Sequence, residues 1–281
     1  MEYFSENNKV IVSGVEDFDP RRIFQCGQCF RWDEDADGSW TGVAFGKAAR
    51  VELIGDGSFS VSGSTEDFEN CWRNYFDLDL DYASARQAVA IDDYMKAACD
   101  FGKGIRILNQ DSWEALCSFI ISQCNNIPRI KGIINVLCEQ WGKAIEFEGR
   151  RFYTFPGAEI IAALDESDLS PLRCGYRAEY IIKAARAVAG GEIDLEALKK
   201  CSDGEALSAL KSLRGVGDKV ANCVLLFGLH KLDSFPVDVW IRRTVREKYG
   251  RGFDPAAAFG QYAGIAQQYM FYYARSGESE D

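Results

Sequence analysis

The chain changes its residue pattern once, and this change limits the folds that it can adopt. In the first quarter, short runs of β-branched and aromatic residues are separated by Gly and Asp turns, which is typical of antiparallel strands. The clearest runs are 10–12, 30–32, 40–43 and 51–54. From Glu66 onward the pattern is helical, and strands and helices do not alternate. The sequence therefore predicts an α+β fold, with an N-terminal antiparallel β-sheet domain followed by an all-helical domain.

The helical part divides into many short segments. Ser112 is a candidate N-cap for a buried helix that ends at residue 121. Further helices are predicted at 128–141, 157–164, 177–189, 195–200, 203–212, 219–227, 239–249 and 256–274. We predict a β-rich domain over 1–104 and a two-part helical domain over 105–281, with subdomains 124–218 and 105–123 plus 219–281. The last residues, 276–281, are a polar tail that we expect to be disordered.

Charge is unevenly distributed along the 281 residues, whose formal net charge is −11. Residues 1–102 carry 9 Lys and Arg against 20 Asp and Glu, 103–251 carry 22 against 19, and 252–281 carry 1 against 4. An evenly acidic protein would be a poor partner for nucleic acid, because phosphate binding depends on Lys and Arg. The slightly basic middle segment leaves that function open.

The ten cysteines do not indicate a disulfide framework, because the chain opens with the polar segment MEYFSENNKV and no signal peptide is recognisable. The one close pair, Cys26 and Cys29, has no second pair at zinc spacing, so no metal site is predicted. The longest apolar run, residues 220–229, is too short to span a membrane. We expect a soluble monomer with reduced thiols.

Residues 213–221, LRGVGDKVA, join two predicted helices through a glycine turn. Gly215 and Gly217 permit unusual backbone angles beside Val216, and the following helix begins with unpaired N–H groups. Such a turn binds a phosphate through its amides and the helix dipole. An ordinary connector between packed helices would have the same composition.

A second motif follows the turn at a fixed distance. The segment FPVDV places Asp238 nineteen residues after Lys219. Together the two motifs resemble the helix-hairpin-helix DNA glycosylases, which have a Pro/Gly/Asp loop after the hairpin. The resemblance is closest to the eukaryotic-type 8-oxoguanine DNA glycosylase/AP lyases and covers nearly the whole chain. It includes CGQCFRW (26–32), SFI (118–120), NNIPRI (125–130), GYRA (175–178), KVANC (219–223) and the segment 262–271.

The resemblance implies a catalytic pair, Lys219 and Asp238. Lys219 would attack the sugar C1′ and form an imine, and its place in the first turn of a helix disfavours the ammonium form. Asp238 would stabilise the positive charge that develops at C1′. As a residue at a helix start, Asp238 is also a candidate N-cap.

The resemblance also implies residues that bind the damaged base and the DNA. The carbonyl of Gly27 would accept the N7–H of 8-oxoguanine, Cys223 and Phe271 would enclose the base, and Gln267 would bind its Watson–Crick edge. Tyr176 would fill the gap in the stack, while Arg129 and Arg177 would face the unpaired cytosine. The remaining predicted DNA contacts are Asn125, which could equally turn the chain, Gly215, Val216, Gly217 and Trp240.

Two positions depart from the animal and fungal pattern. Cys124 stands where those proteins have the first Asn of a triplet, and a thiol is a poor hydrogen-bond partner, so we expect weak preference for the base opposite the lesion. Trp240 replaces a phosphate-binding His. Both departures resemble the prokaryotic branch. A cytoplasmic, nucleoid-associated protein is expected if the source is prokaryotic, and a nuclear one if it is eukaryotic.

Three alternatives remain at this stage. The chain could be a hairpin module that only binds DNA, a glycosylase of the same superfamily for another damaged base, or an acidic small-molecule enzyme. No nucleotide loop or Ser/His/Asp set supports the last of these. No cofactor is expected to be required and no iron–sulfur cluster is predicted, because the last cysteine precedes Asp238. A monovalent cation, Mg²⁺ or Ca²⁺ at the hairpin is implied only by the resemblance.

Overall fold

The computed structural model describes residues 1–55 and 57–277, so residues 278–281 of the expected tail lie outside it. A six-stranded antiparallel sheet, in the order β1-β2-β6-β5-β4-β3, forms the N-terminal part. Its strands are β1 (Glu2–Glu6), β2 (Lys9–Ser13), β3 (Trp32–Glu34), β4 (Trp40–Ala44), β5 (Lys47–Gly55) and β6 (Ser58–Ser62). A separate hairpin, β7 (Ala144–Phe147) and β8 (Arg150–Tyr153), lies within the helical part.

Helices make up most of the remainder. The first eight are α1 (Pro20–Gln25), α2 (Thr65–Asp67), which continues through a π-helical turn (Phe68–Trp72) into α3 (Arg73–Tyr75), α4 (Tyr82–Val89), α5 (Asp93–Phe101), α6 (Ser112–Ile121), α7 (Ile127–Trp141) and α8 (Ala158–Ala162). The others are α9 (Arg177–Ala189), α10 (Leu195–Leu198), α11 (Asp203–Ser212), α12 (Asp218–Phe227), α13 (Val239–Lys248), α14 (Pro255–Phe259) and α15 (Ala263–Gly277). The α+β prediction is confirmed.

Aromatic side chains fill the space between the sheet and its helices. Phe24 of α1 stacks on Trp32 with ring centroids 4.3 Å apart, and Phe18 stacks on Phe59 at 3.7 Å. In the helical part, α6 is buried at nine of its ten positions and packs against α7, α9 and α12. The end of α6 thereby lies beside the beginning of α12, which carries Lys219.

Several local predictions were wrong. The strand expected at 30–32 begins at Trp32, and the strands β1, β6, β7 and β8 were not predicted. Asp111, not Ser112, caps α6, because its carboxylate accepts the Glu114 N–H, while the Ser112 hydroxyl donates to the Gly228 carbonyl. The helix expected at 256–274 is broken at Gly260, whose positive φ of 55° ends α14.

Arg106 joins the two parts of the protein. It is 1 % exposed, and its guanidinium donates to the backbone carbonyls of Glu16, Asp17, Phe76, Asp77 and Leu80 at 2.8 to 3.2 Å. Burial lowers the pKa of Arg106. Because the carbonyls come from separate loops, one side chain fixes several segments of the N-terminal part.

Replacing Arg106 by Met should destabilise the protein strongly, because buried carbonyls would lose their donors. We expect the free energy of unfolding to fall by about 4 kcal/mol. Urea denaturation measures this change, and the exposed Arg21→Met variant, expected within about 0.5 kcal/mol of wild type, is the control. A loss below about 1 kcal/mol would contradict the role given to Arg106.

Candidate active site

The glycine turn between α11 and α12 is shaped by close packing. Gly215 has a φ of +84°, and a Cβ atom there would lie 2.2 Å from the ring of Tyr180, so only glycine fits. Val216 is buried beneath the turn, whereas Gly217 is exposed and caps α12 without a side chain. The first N–H groups of α12 are therefore presented at the surface, an arrangement suited to a phosphate.

Lys219 lies in the first turn of α12 and is half-buried. Its ammonium donates to the Ser122 hydroxyl, with an Nζ–Oγ distance of 3.2 Å, and lies 5.4 Å from the ring centroid of Phe119. Ser122 donates its own proton to the Phe119 carbonyl at 2.8 Å, so its oxygen is free to accept from Lys219. The serine at the end of α6 thus orients the amine.

Asp238 begins α13 as its N-cap, and its Oδ1 accepts the Ile241 N–H at 2.9 Å. The buried thiol of Cys223 lies one helical turn after Lys219 on α12. Burial raises the pKa of Cys223, the charge of Lys219 lowers this pKa, and the charge of Asp238 raises it. Both members of the predicted pair therefore act electrostatically on the same thiol.

Gly27 lies in the loop after α1 with a φ of +81°. A Cβ atom on Gly27 would lie 3.3 Å from Phe271, 3.5 Å from Arg275 and 3.7 Å from Ile127. Gly27 and Phe271, which are 244 residues apart, therefore face each other. The close approach explains why this position favours a residue without a side chain.

Gln267 lies one turn before Phe271 on α15 and is 4 % exposed. Its Oε1 is buried and has no hydrogen-bond partner among the described residues. A buried acceptor without a donor is costly and marks a place where a ligand N–H would fit.

Gln28 supports the Gly27 loop, a role that the sequence did not suggest. The side chain is fully buried, donates to the carbonyls of Ile23 and Arg106, and accepts the Leu108 N–H at 2.9 Å. The Gln28 carbonyl accepts from Gln110 at 2.8 Å. These bonds hold the loop against the segment that leads into the helical part. Ser122 was also missed, although a polar residue directly after an apolar helix is a detectable pattern.

The residues expected to face the opposite strand are grouped around the loop 122–126. Cys124 is exposed with a positive φ of 47°, Asn125 donates to the Ile121 carbonyl at 3.3 Å, and Asn126 caps α7. Arg129 is exposed and donates to the Arg173 carbonyl at 3.2 Å. Cys124 of the loop and Arg129 in the first turn of α7 are therefore both exposed.

Tyr176 and Arg177 differ in exposure. Tyr176 is 51 % exposed and stacks against Arg177, with 4.6 Å between the guanidinium carbon and the ring centroid. Arg177 is buried and donates to the backbone carbonyls of Gln123, Cys124 and Cys174. In this state Arg177 holds the loop, and a contact with cytosine would require it to exchange these bonds. Trp240 lies half-buried in the first turn of α13.

No helix within 1–55 and 57–277 is long and apolar enough to cross a membrane. Over the same residues, His, Cys, Asp and Glu form no group of three that could hold a metal ion. In the single histidine, His230, the Nε2 atom lies 3.3 Å from Oδ1 of Asp77.

Comparison with known proteins identifies the family. Residues 10–116 match the model of the 8-oxoguanine DNA glycosylase N-terminal domain, and residues 117–256 match that of the HhH-GPD superfamily of base excision DNA repair proteins. The N-glycosylase/DNA lyase of Saccharomyces cerevisiae is 32% identical over 252 residues, which cover 81% of this chain and 67% of the yeast protein.

Two solved structures have the same fold. MBOgg1, in complex with a low-affinity DNA ligand, has a TM-score of 0.95 and 42% identity, covering 99% of this chain and 100% of that one. The 8-oxoguanine glycosylase/lyase of Clostridium acetobutylicum, bound to double-stranded DNA with cytosine opposite 8-oxoguanine, has a TM-score of 0.95 and 38% identity, covering 99% of both chains. The chain belongs to the 8-oxoguanine DNA glycosylase/lyase family of the HhH-GPD superfamily.

Proposed function

We propose that this protein removes 8-oxoguanine from duplex DNA and then cuts the strand at the resulting site. The observation that carries the proposal is the half-buried Lys219 in the first turn of α12, held by Ser122, with Asp238 at the start of the next helix. A module that only binds DNA needs neither a half-buried, oriented lysine nor this carboxylate. The relative from Clostridium acetobutylicum binds the corresponding damaged duplex.

Recognition of the base follows from Gly27 and Gln267. The base must leave the helix before its edges can be reached. 8-Oxoguanine carries a hydrogen on N7, which guanine lacks, and the carbonyl of Gly27 is the acceptor for it. The unpaired Oε1 of Gln267 accepts from the N–H groups of the Watson–Crick edge. Phe271 and the neutral thiol of Cys223 cover the two faces of the ring.

The reaction needs a neutral Lys219. Its Nζ attacks C1′ as the bond from C1′ to N9 breaks, and the base leaves with that electron pair and takes up a proton. Ring opening of the sugar gives an imine between Lys219 and C1′. Loss of a proton from C2′ then expels the 3′ phosphate, which cuts the strand, and water hydrolyses the imine to restore the amine.

Asp238 acts through its charge. As the glycosidic bond breaks, positive charge develops on the sugar, and a fixed carboxylate stabilises that charge more strongly in a partly buried site than in water. Its bond to the Ile241 N–H holds the carboxylate in position without neutralising it.

The phosphates of the damaged strand would be held by the backbone amides of Gly215, Val216 and Gly217 and by Trp240. Tyr176 would enter the gap left by the base, and Asn125, Arg129 and Arg177 would face the opposite strand.

Backbone carbonyls of the hairpin are hard oxygen ligands and fit a monovalent cation, Mg²⁺ or Ca²⁺. No step of the reaction uses such an ion. The location of the protein would be the nucleoid or the nucleus.

The proposal is tested by release of 8-oxoguanine from duplexes that carry each of the four bases opposite the lesion. We expect excision with all four, with rates within about tenfold of one another, because the thiol of Cys124 offers little to discriminate between opposing bases. No excision from any duplex would refute the proposed function.

Cys124→Asn is the matched variant. Asparagine tolerates the positive φ at this position better than most residues, so the variant should fold normally. It should raise the preference for cytosine, because an amide donates and accepts hydrogen bonds. A wild-type protein that already prefers cytosine by more than about a hundredfold would contradict the part given to Cys124.

A further inference from the structure

Arg275 is the single Lys or Arg among residues 252–281, and it lies beside the base pocket. It follows Phe271 by one helical turn on α15, with its guanidinium carbon 5.3 Å from the centroid of the Phe271 ring. One terminal nitrogen, Nη2, donates to the Gln25 carbonyl at 2.5 Å. Arg275 therefore ties the end of α15 to the last residue of α1, two residues before Gly27.

The other terminal nitrogen, Nη1, is buried and has no hydrogen-bond partner in residues 1–55 and 57–277. It lies 3.5 Å from the position that a Cβ atom of Gly27 would occupy. A charged donor removed from water without an acceptor is unfavourable. The arrangement becomes favourable once an acceptor oxygen is supplied next to Gly27.

We propose that Arg275 is a substrate-binding residue that donates through Nη1 to an oxygen of the extruded base. This inference rests on the proposed function. Along its Hoogsteen edge, 8-oxoguanine presents O6, the N7–H and O8, which are an acceptor, a donor and an acceptor. The Gly27 carbonyl pairs with the central donor, and Nη1 of Arg275 pairs with one of the two flanking oxygens.

The pairing makes Arg275 a determinant of specificity. Gln267 Oε1 accepts from the Watson–Crick edge, and Arg275 adds a charged donor at the opposite edge. The pocket then reads both edges of the base, with Phe271 contacting both the base and the arginine.

Arg275→Met tests this contact, because methionine keeps much of the packing on Phe271 and removes the donors. We expect kcat/KM for 8-oxoguanine to fall about 10- to 100-fold, since hydrogen bonds to charged groups have this effect. For a duplex with a preformed abasic site, the loss of cleavage rate in the variant should be at least about tenfold smaller than the loss on 8-oxoguanine. The abasic site has no base, so no base contact can be lost. The exposed Lys96→Met variant is the control for general effects on DNA binding.

Equal losses on the damaged and abasic duplexes would overturn the contact and indicate a role in folding or phosphate binding. If the wild type excises 8-oxoguanine and Arg275→Met is equally active, the contact is also overturned, but the proposed function remains intact. Failure of the wild type itself would refute the proposed function.

Substrates with sulfur in place of O6 or O8 separate contact from positioning. Sulfur is a weak acceptor, so at the contacted atom the wild type should lose activity and Arg275→Met should lose little more. If Arg275→Met loses the same activity relative to wild type on the oxygen substrate and on both sulfur substrates, Arg275 only positions the loop. That result would overturn the contact.

Discussion

Lys219→Gln should lose at least about 10⁴-fold in the rate of 8-oxoguanine excision, because the nucleophile is removed and the remaining pocket can only bind and position the base. Glutamine has a similar length and can still donate to Ser122, so the fold and the affinity for damaged duplex should be retained. Single-turnover release of the base measures the rate, and a gel-shift titration measures the affinity.

Lys96→Gln is the control for loss of a positive charge, since Lys96 is exposed on α5 and pairs with Asp93. It should react like wild type. Excision by Lys219→Gln within about tenfold of wild type would mean that water or another amine attacks the sugar, and the covalent mechanism would be wrong.

Asp238→Asn separates the charge of the carboxylate from its structural role. Asparagine caps helices about as well as aspartate, so α13 should remain stable, with less than about 0.5 kcal/mol change in the free energy of unfolding. The rate of excision should fall about 10²- to 10³-fold, because the developing positive charge at C1′ loses its counter-charge. Single-turnover kinetics and urea denaturation give the two quantities.

Asp254 provides a matched control, because it caps α14 in the same way, accepting the Ala256 and Ala257 N–H groups. Asp254→Asn should leave the rate of excision near the wild-type value. If the two variants lose the same activity, the effect of Asp238→Asn is structural, and the electrostatic role proposed for Asp238 fails.

The sequence predicted those parts of the fold that depend on local pattern. Helices α9 and α11 begin and end where the periodicity placed them, and the turn with Gly215 and Gly217 lies between two helices as expected. The beginning of α15 was placed less well, because Gly260 interrupts a segment whose composition is helical throughout. Strand β6 was not predicted, although its sequence SFSVS alternates Ser with Phe and Val.

The sequence predicted only part of the site. Lys219 and Asp238 lie in motifs with a fixed spacing, so their residue types and their separation indicate a nucleophile and a carboxylate. Contacts between distant segments, such as that of Gly27 with Phe271 or of Arg275 with Gln25, depend on tertiary packing that no local pattern encodes. The buried position of Arg177 has the same origin, because its acceptors are carbonyls of a loop more than fifty residues away.

Reduction with borohydride during the reaction tests the central claim most directly, because it converts the imine into a stable amine and links the protein to DNA. With a duplex that contains 8-oxoguanine opposite cytosine, we predict a covalent adduct in the wild type, mapped by mass spectrometry to Lys219 and absent in Lys219→Gln. No adduct at saturating wild-type protein, or an adduct that persists in Lys219→Gln, would contradict the account.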